Sequence, residues 1–188
     1  LKNIQNNTER LISLSNQLLD FRKVETKGFK FHFEQKNISQ ATQDIVDNFR
    51  ETLDSQHKKL TYAIVENIES YIDLDAYEII CNNLLNNALK YSKKIIELHL
   101  EKDDENSVLI LTIKNDGLLI PDEDIEYVFE PFNRLEHNKS IPGSGLGLAL
   151  SQSLALKMNG IINYSIDNKN LNTFTLRLPL NQTYVYEC

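Results

Sequence analysis

The stretch that most constrains this chain is Pro142-Gly143-Ser144-Gly145-Leu146-Gly147-Leu148-Ala149-Leu150, which holds three of its six glycines. No Gly or Pro follows until Asn159-Gly160, which predicts a helix directly after the glycines. Glycines let a backbone approach a ligand closely, and the start of a helix offers unpaired N–H groups. The pattern therefore predicts a phosphate-binding loop, with a plain flexible turn as the alternative.

Two common nucleotide-binding motifs do not fit this stretch. It lacks the Lys-Ser or Lys-Thr pair that ends a P-loop. No parallel strand–turn–helix unit with a later ribose-binding acid is evident either. A different nucleotide-binding fold is therefore required.

Composition limits the class of protein. A length of 188 residues suits one large domain, or one ordinary domain with a small appendage. The net charge of −7 argues against nucleic acid or an anionic membrane as the main partner. Cys81 and Cys188 make no disulfide framework, no apolar run approaches the roughly 20 residues of a membrane span, and no signal peptide is visible. We expect a reducing, cytoplasmic setting for a chain whose start at Leu1 falls inside a longer protein.

The first segment is an amphipathic helix in its residue pattern. Its apolar residues recur mostly at spacings of three and four, namely Ile4, Leu11, Leu14, Leu18, Phe21 and Val24. Lys27-Gly28 ends it. A single helix of this kind needs a partner to bury its apolar stripe, either another helix or another copy of itself.

The pattern of helices and strands beyond Gly28 predicts the fold class. Alternation and apolar runs predict strands at 29–33, 60–65, 71–73, 95–100, 108–113, 161–166 and 173–178. Helices are predicted from a cap at Ser39 to about Gln56, from a cap at Asp75 over 76–91, and from Gly145. Residues 122–141 are expected to be irregular. The class is α+β: a two-layer sandwich of a mixed, mainly antiparallel sheet covered on one face by three helices, preceded by one long helix.

The helix over 76–91 carries candidate chemistry on one face. Its sheet-facing residues are predicted to be Tyr77, Cys81, Leu84, Leu85 and Ala88, and its neighbouring face holds Asn83, Asn87, Lys90 and Tyr91. Two amide oxygens one turn apart can ligate Mg2+, and a lysine beside them can bind phosphate. The alternative, a solvated polar face, suits Asn82 and Asn86.

Two further stretches are ambiguous when taken alone. Lys114-Asn115-Asp116-Gly117-Leu118-Leu119-Ile120-Pro121 places a polar side chain at a strand end, where the edge of a base could be recognised or an ordinary loop could follow. Val128-Phe129-Glu130-Pro131-Phe132-Asn133-Arg134 has two aromatic residues in a polar loop, which pin the loop to the core on the simplest interpretation.

Together these four stretches resemble the ATP-binding domain of sensor histidine kinases. That domain belongs to a wider family shared with gyrase, the ninety-kilodalton heat-shock chaperone and the mismatch-repair ATPases. Residues 83–91 look like the N box, 115–121 the first glycine box, 129–134 the F box and 143–147 the second glycine box. The resemblance covers about residues 29–180. Residues 1–25 are similar to the second helix of the kinases' dimerisation and phosphoacceptor domain. The residues that make up the four motifs are similar to those of hybrid sensor kinases of Bacteroidetes.

The resemblance implies roles for individual residues. Asn87 would hold Mg2+ with help from Asn83, and Lys90 and Arg134 would contact phosphate oxygens, so that Asn87, Lys90 and Arg134 are the expected catalytic residues. The implied ATP-binding residues are Asn83, Asn87, Lys90, Tyr91, Asn115, Gly117, Ile120, Phe132, Gly143, Ser144, Gly145, Leu146, Gly147 and Leu148. The implied cofactors are ATP and Mg2+.

The sequence departs from the family pattern at two points. Asn115 and Leu119 stand where the first glycine box has its adenine-binding Asp and its second Gly; an amide oxygen can still accept from the adenine amino group. None of the four histidines, His32, His57, His99 and His137, lies in the phosphoacceptor context. We therefore expect the acceptor on a helix that precedes Leu1.

The implied function is the catalytic part of a two-component sensor histidine kinase, which passes the ATP γ-phosphate to a histidine for transfer to a response-regulator aspartate. The implied domains are 1–27, 28–181 and a tail at 182–188. The implied partners are the phosphoacceptor helix, a receiver domain and a second copy of the protein in a homodimer. No direct contact with nucleic acid or membrane is expected. The chain would form the cytoplasmic part of an inner-membrane sensor. Alternatives are a degenerate nucleotide-sensing or dimerisation module, and a gyrase-type ATPase. The latter has a catalytic Glu where this chain has Asn83.

Overall fold

A computed structural model describes residues 8, 12, 15, 18–19, 21–26, 29–135, 141 and 143–181. Residues 8, 12, 15, 18–19 and 21–25 are helical, and we call this helix α1. Phe21 and Val24 are buried in the same hydrophobic core as the domain that follows, whereas Leu18 is exposed. Three residues of the predicted stripe, Ile4, Leu11 and Leu14, and the predicted end at Lys27-Gly28 lie outside the described residues.

The remaining elements alternate between strands and helices. In chain order they are β1 (Glu34–Asn37), α2 (Ile38–Ser55), β2 (Lys59–Ile64), β3 (Glu69–Ile72), α3 (Leu74–Tyr91), β4 (Ile95–Asp103), β5 (Val108–Asn115), a 3-10 helix (Asp122–Tyr127), α4 (Gly147–Lys157), β6 (Ile161–Ile166) and β7 (Asn172–Pro179). Among the described residues, no helix is both long and apolar enough to span a bilayer.

The strands form a mixed sheet in the order β2-β4-β5-β7-β6. Only the β2–β4 pair is parallel within it, and β1 and β3 form a separate antiparallel pair. Alternate residues of β5 are buried, from Leu109 through Leu111 and Ile113 to Asn115, because successive side chains of a strand point to opposite faces. This buried face packs against the helices, which confirms the predicted α+β class.

Helix α3 is the central element of the helical layer and contacts both α2 and α4. All five residues of its predicted sheet-facing stripe are buried. The Tyr77 hydroxyl lies 2.6 Å from the Thr42 hydroxyl, so the buried phenol has a hydrogen-bond partner. Burial, together with the nearby Glu78 carboxylate, raises the pKa of the Cys81 thiol to about 12.

The predicted strand over 29–33 is wrong. Phe29, Phe31 and Phe33 are half-buried and contact one another as rings, with centroids 4.7 and 5.7 Å apart. Their alternation reflects this packing against the core, and the hydrogen-bonded ladder begins only at Glu34, which pairs with Ile72.

Both predicted helix caps lie two residues too late. Asn37 caps α2 by accepting from the Gln40 N–H at 2.9 Å, and Asp73 caps α3 by accepting from the Ala76 N–H at 2.8 Å. Ser39 instead donates to the Val65 carbonyl at 2.6 Å, which fastens the chain that follows β2. Likewise α4 begins at Gly147 and not at Gly145, because the first glycines belong to the loop before it.

Candidate functional site

One cavity of about 370 Å³ lies between α3, the ends of β5 and β7, and the loop that precedes α4. Its wall is made of two groups of residues that differ in chemistry. The polar or glycine group comprises Asn83, Asn86, Asn87, Lys90, Tyr91, Asn115, Asn133, Arg134, Gly143, Ser144, Gly145, Gly147 and Asn172, and the apolar group comprises Leu118, Ile120, Val128, Leu135, Leu148 and Phe174. Among these lining residues the charged ones are Lys90 and Arg134, so the cavity suits an anionic ligand with an apolar portion.

The sheet end of the cavity, which we call the base end, is built around Asn115. Asn115 is the last residue of β5 and shares the buried face of that strand with Ile113, so its side chain faces the helices. Asp116 points away: its carboxylate accepts the N–H groups of Lys93, Lys94 and Ile95 at 2.8–3.1 Å. These three donors lower the pKa of Asp116 although its burial acts in the opposite direction.

A chain of hydrogen bonds fixes the base end. The Gly117 N–H donates to Asn115 Oδ1 at 3.0 Å, and Asn172 Nδ2 donates to the same oxygen at 3.3 Å and to the Leu118 carbonyl at 3.1 Å. The Tyr164 hydroxyl donates to Asn172 Oδ1 at 2.8 Å and accepts from the Ile120 N–H at 3.2 Å. Asn115 and Asn172 meet because they are register partners on β5 and β7.

The opposite end of the cavity, which we call the phosphate end, is built on one face of α3. Asn83 donates its Nδ2 to the Gly147 carbonyl and to Ser151 Oγ, both at 3.2 Å, and so ties α3 to the start of α4. Asn87 is half-buried, and its side chain forms no hydrogen bond within the described part of the chain. Lys90 places Nζ 4.6 Å from the centre of the Tyr91 ring.

The loop before α4 covers the phosphate end closely. The Gly143 backbone passes so close to Lys90 Nζ that a Cβ there would displace the end of the lysine side chain. Gly145 has φ +73° and a Cβ there would lie 2.7 Å from the Asn133 carbonyl oxygen. The Arg134 guanidinium donates to the Ile141 carbonyl on the same side.

The cavity brings together most of the residues predicted from sequence. Of that set it is lined by Asn83, Asn87, Lys90, Tyr91, Asn115, Ile120, Arg134, Gly143, Ser144, Gly145, Gly147 and Leu148. Three others do not line it: Gly117 supports Asn115 from behind, Phe132 is exposed with φ +62°, and Leu146 is buried in the core.

Several lining residues escape prediction from sequence. Asn86 is exposed, as expected for a solvated face, yet it also borders the cavity, while Asn82 bonds the Glu78 carbonyl within its own helix. Asn172 and Phe174 line the base end from β7. The available signal for Asn172 was a polar residue at the start of an apolar strand, but its distance from Asn115 follows from sheet register.

Comparison with known proteins identifies the family of this arrangement. Residues 72–182 match the family model described as histidine kinase-, DNA gyrase B-, and HSP90-like ATPase. The chain is 31% identical over 185 residues to the sensor histidine kinase WalK of Bacillus subtilis, covering 95% of this chain and 30% of WalK. It is 35% identical over 119 residues to the sensor protein RstB of Escherichia coli, covering 62% of this chain and 27% of RstB. The chain thus spans less than a third of these two relatives.

Solved structures share the fold over nearly the whole chain. The Acinetobacter baumannii histidine kinase AdeS superposes with a TM-score of 0.79 at 23% identity, covering 95% of this chain and 83% of that one. Full-length ShkA, solved in complex with AMPPNP, superposes with a TM-score of 0.82 at 17% identity, covering 98% and 39%. The chain belongs to the histidine kinase-, DNA gyrase B- and HSP90-like ATPase family.

Proposed function

We propose that this chain is the catalytic, ATP-binding part of a two-component sensor histidine kinase. It would position Mg-ATP so that the γ-phosphate passes to a histidine outside the 188 residues, for onward transfer to a response-regulator aspartate. Residues 1–27 would belong to the dimerisation and phosphoacceptor domain, residues 28–181 to the catalytic domain, and residues 182–188 to a tail. The whole protein would act as a homodimer with its catalytic part in the cytoplasm.

The cavity itself is the observation that carries the proposal. An apolar base end and a basic phosphate end, covered by a glycine loop that leads into α4, match the two halves of a nucleotide. The positive end of the α4 dipole lies at Gly147, where it favours a phosphate.

The residues at the phosphate end fit Mg2+. The Asn83 Nδ2 is occupied by Gly147 and Ser151, which leaves its Oδ1 as the remaining polar atom, and the Asn87 amide has no partner among the described residues. Amide oxygens are hard ligands of the kind that Mg2+ accepts, and the ion usually keeps several waters and substrate phosphates in its shell. When bound, Mg2+ would neutralise charge on the phosphate oxygens.

The chain's own contribution to phosphoryl transfer is positioning and electrostatics. Lys90 and Arg134 would hold the phosphates from α3 and from the loop, and the backbone at Gly143 and Gly145 would close over them. Tyr91 keeps Lys90 in place through its contact with the ammonium group.

Phosphorylation of the natural full-length protein tests the function. With radiolabelled ATP it should acquire acid-labile, base-stable phosphate, and Asn87→Ala should abolish that label. Asn82→Ala is the matched control, because Asn82 lies on the same helix and bonds only the Glu78 carbonyl among the described residues. The 188-residue chain alone should stay unlabelled, so stoichiometric phosphate on any of its four histidines would contradict the proposal.

The role of α1 in dimerisation has a separate test. Leu18 and Leu19 are exposed on α1, whereas Phe21 and Val24 are buried against the domain. Leu18→Glu should therefore weaken association in sedimentation without opening the core. Unchanged association of a double variant with Leu19→Glu would reject the role.

A degenerate nucleotide-sensing module is the second candidate, favoured by Asn115 at the position of the family's adenine-binding Asp. Such a module would bind nucleotide, but the full-length protein would not transfer phosphate. The labelling experiment therefore separates the two candidates.

A further inference from the structure

The polarity of the Asn115 side chain has a consequence for the base that the site accepts. A carboxylate at this position could only accept hydrogen bonds, whereas an amide has one accepting and one donating end. The end that faces a bound base is decided by the groups that already hold the other end.

The hydrogen-bond chain at the base end settles this orientation from both sides. At one side, the Gly117 N–H can only donate, so it requires Asn115 Oδ1, which lies 3.0 Å away. At the other side, the Leu118 carbonyl can only accept, so it requires Asn172 Nδ2, which lies 3.1 Å away. Reversing either amide would set two donors or two acceptors against each other, with buried polar groups left unpaired.

Tyr164 supports the same orientation. Its oxygen accepts the Ile120 N–H, so its proton is directed to Asn172 Oδ1. Burial raises the pKa of Tyr164, so the hydroxyl remains protonated and can donate. Asn172 is thereby fixed with its Nδ2 toward Asn115 Oδ1.

Both lone pairs of Asn115 Oδ1 are therefore used, by Gly117 and by Asn172. The polar atom that remains is Asn115 Nδ2, which has no hydrogen-bond partner within the described part of the chain. Asn115 lines the cavity next to the apolar surface of Leu118, Ile120 and Phe174. We propose that Asn115 presents a hydrogen-bond donor to the base, so that the site accepts 6-oxopurine nucleotides at least as well as 6-aminopurine nucleotides.

The two purine classes differ at C6 and at the adjacent N1, which is an acceptor in adenine and a donor in hypoxanthine and guanine, and guanine also carries an amino group at C2. Asn115 stands at the position of the adenine-binding Asp in the family that the chain resembles, so by that resemblance the amino donor at C6 of adenine would face the donor Nδ2 and would need a water between them. Hypoxanthine and guanine carry a carbonyl acceptor at C6, which Nδ2 can meet directly. Donor opposite donor in a buried site costs on the order of 1–3 kcal/mol, or about 5- to 150-fold in affinity. This inference deepens the proposed function, because it specifies the substrate class of the same cavity.

Titration calorimetry with Mg-ADP and Mg-IDP tests the inference, since the two nucleotides differ only in the purine ring around C6. For the wild-type chain we expect a Kd for IDP equal to or below that for ADP. Asn115→Asp keeps the acceptor for Gly117 and Asn172 and offers a second acceptor to the base. It should therefore raise the preference for ADP over IDP by about tenfold or more.

Asn86→Asp is the matched control, because it makes the same chemical change at an exposed residue that borders the cavity. It should change the affinity for both nucleotides in equal proportion. A wild-type Kd for IDP measurably above that for ADP, or a preference unchanged by Asn115→Asp when thermal melting shows that the variant is folded, would overturn the inference. If neither ADP nor IDP binds, the proposed function itself is overturned.

Discussion

The two ends of the cavity differ in how their side chains are held without a ligand. At the base end Asn115, Asn172 and Tyr164 bond one another and the backbone, so their geometry is complete within the protein. At the phosphate end the Asn87 side chain has no hydrogen-bond partner among the described residues, and Lys90 Nζ lies against the Tyr91 ring and the Gly143 backbone. The base end is therefore held by hydrogen bonds within the protein, whereas the Asn87 amide and the Lys90 ammonium group at the phosphate end are available to a ligand.

This difference separates effects on stability from effects on binding. Substitution of Asn87 or Lys90 at the phosphate end should reduce affinity and leave the free energy of unfolding nearly unchanged. Substitutions at the base end should reduce both, because they leave donors of the protein itself unpaired.

The largest expected effect is that of Asn87→Ala. Removing a proposed direct ligand of Mg2+ should lower the affinity for Mg-ADP by on the order of 100-fold, since loss of an outer-shell partner alone costs 10- to 100-fold. Calorimetry with and without Mg2+ measures this, and urea denaturation should give the wild-type free energy of unfolding. A loss of stability comparable with that of a core substitution would erase the contrast between the two ends.

Asn115→Ala should lower both the free energy of unfolding and the affinity for nucleotide. The Gly117 N–H and Asn172 Nδ2 would lose their acceptor, which costs about 2–3 kcal/mol in the free energy of unfolding. Nucleotide affinity should fall as well, because the group that we propose contacts the base is lost. Urea denaturation and calorimetry on the same sample decide whether stability and affinity fall together. An unaltered unfolding midpoint would contradict the inference that hydrogen bonds within the protein hold the base end.

Gly145→Ala tests the loop that covers the phosphate end of the cavity. A Cβ at φ +73° costs about 1–2 kcal/mol and also meets the Asn133 carbonyl. We expect the loop to shift, the affinity for ADP to drop about tenfold as measured by titration, and the melting temperature to fall by roughly 2–8 °C. Wild-type affinity would mean that this loop does not touch the phosphates.

Asp116→Asn has the smallest expected effect and belongs to neither end. Because its N–H donors lower the folded-state pKa of Asp116, the ionised carboxylate contributes stability above the ordinary carboxyl pKa, and this is lost as pH falls through the folded-state value. The variant should be about 1 kcal/mol less stable at pH 7, with the difference shrinking below about pH 4. Affinity for ADP should not change; if it did, the orientation of residues 115 and 116 would be wrong.

Local patterns of the sequence predicted the parts of the site that lie on one helix or one loop. Asn83, Asn87 and Lys90 recur at helical spacing, so their common face follows from the period of an α-helix. The base end depends on the register between β5 and β7, which places Asn172 opposite Asn115 although 57 positions separate them in the chain. Nothing local to either residue encodes that pairing.

The errors in the predicted helix starts and in the predicted strand 29–33 also come from contacts between distant parts of the chain. Asn37 and Ser39, like Asp73 and Asp75, are alternative cap residues two positions apart, and the choice between them depends on tertiary contacts such as that of Ser39 with Val65. The alternating phenylalanines at 29–33 satisfy the pattern of a strand, but the partner strand β3 is too short to pair with them as well as with 34–37.

Cys81 offers a measure of how often this domain opens. Its thiol is completely buried on α3 and its pKa of about 12 leaves almost no thiolate near neutrality, so an alkylating reagent can reach and modify it only after α3 leaves the sheet. In a Cys188→Ser variant the alkylation rate would therefore report the population of the opened domain. A nucleotide bound between α3 and the sheet would lower the alkylation rate in proportion to the fraction of the protein that is bound. The reactivity of this one buried thiol would therefore measure ligand occupancy.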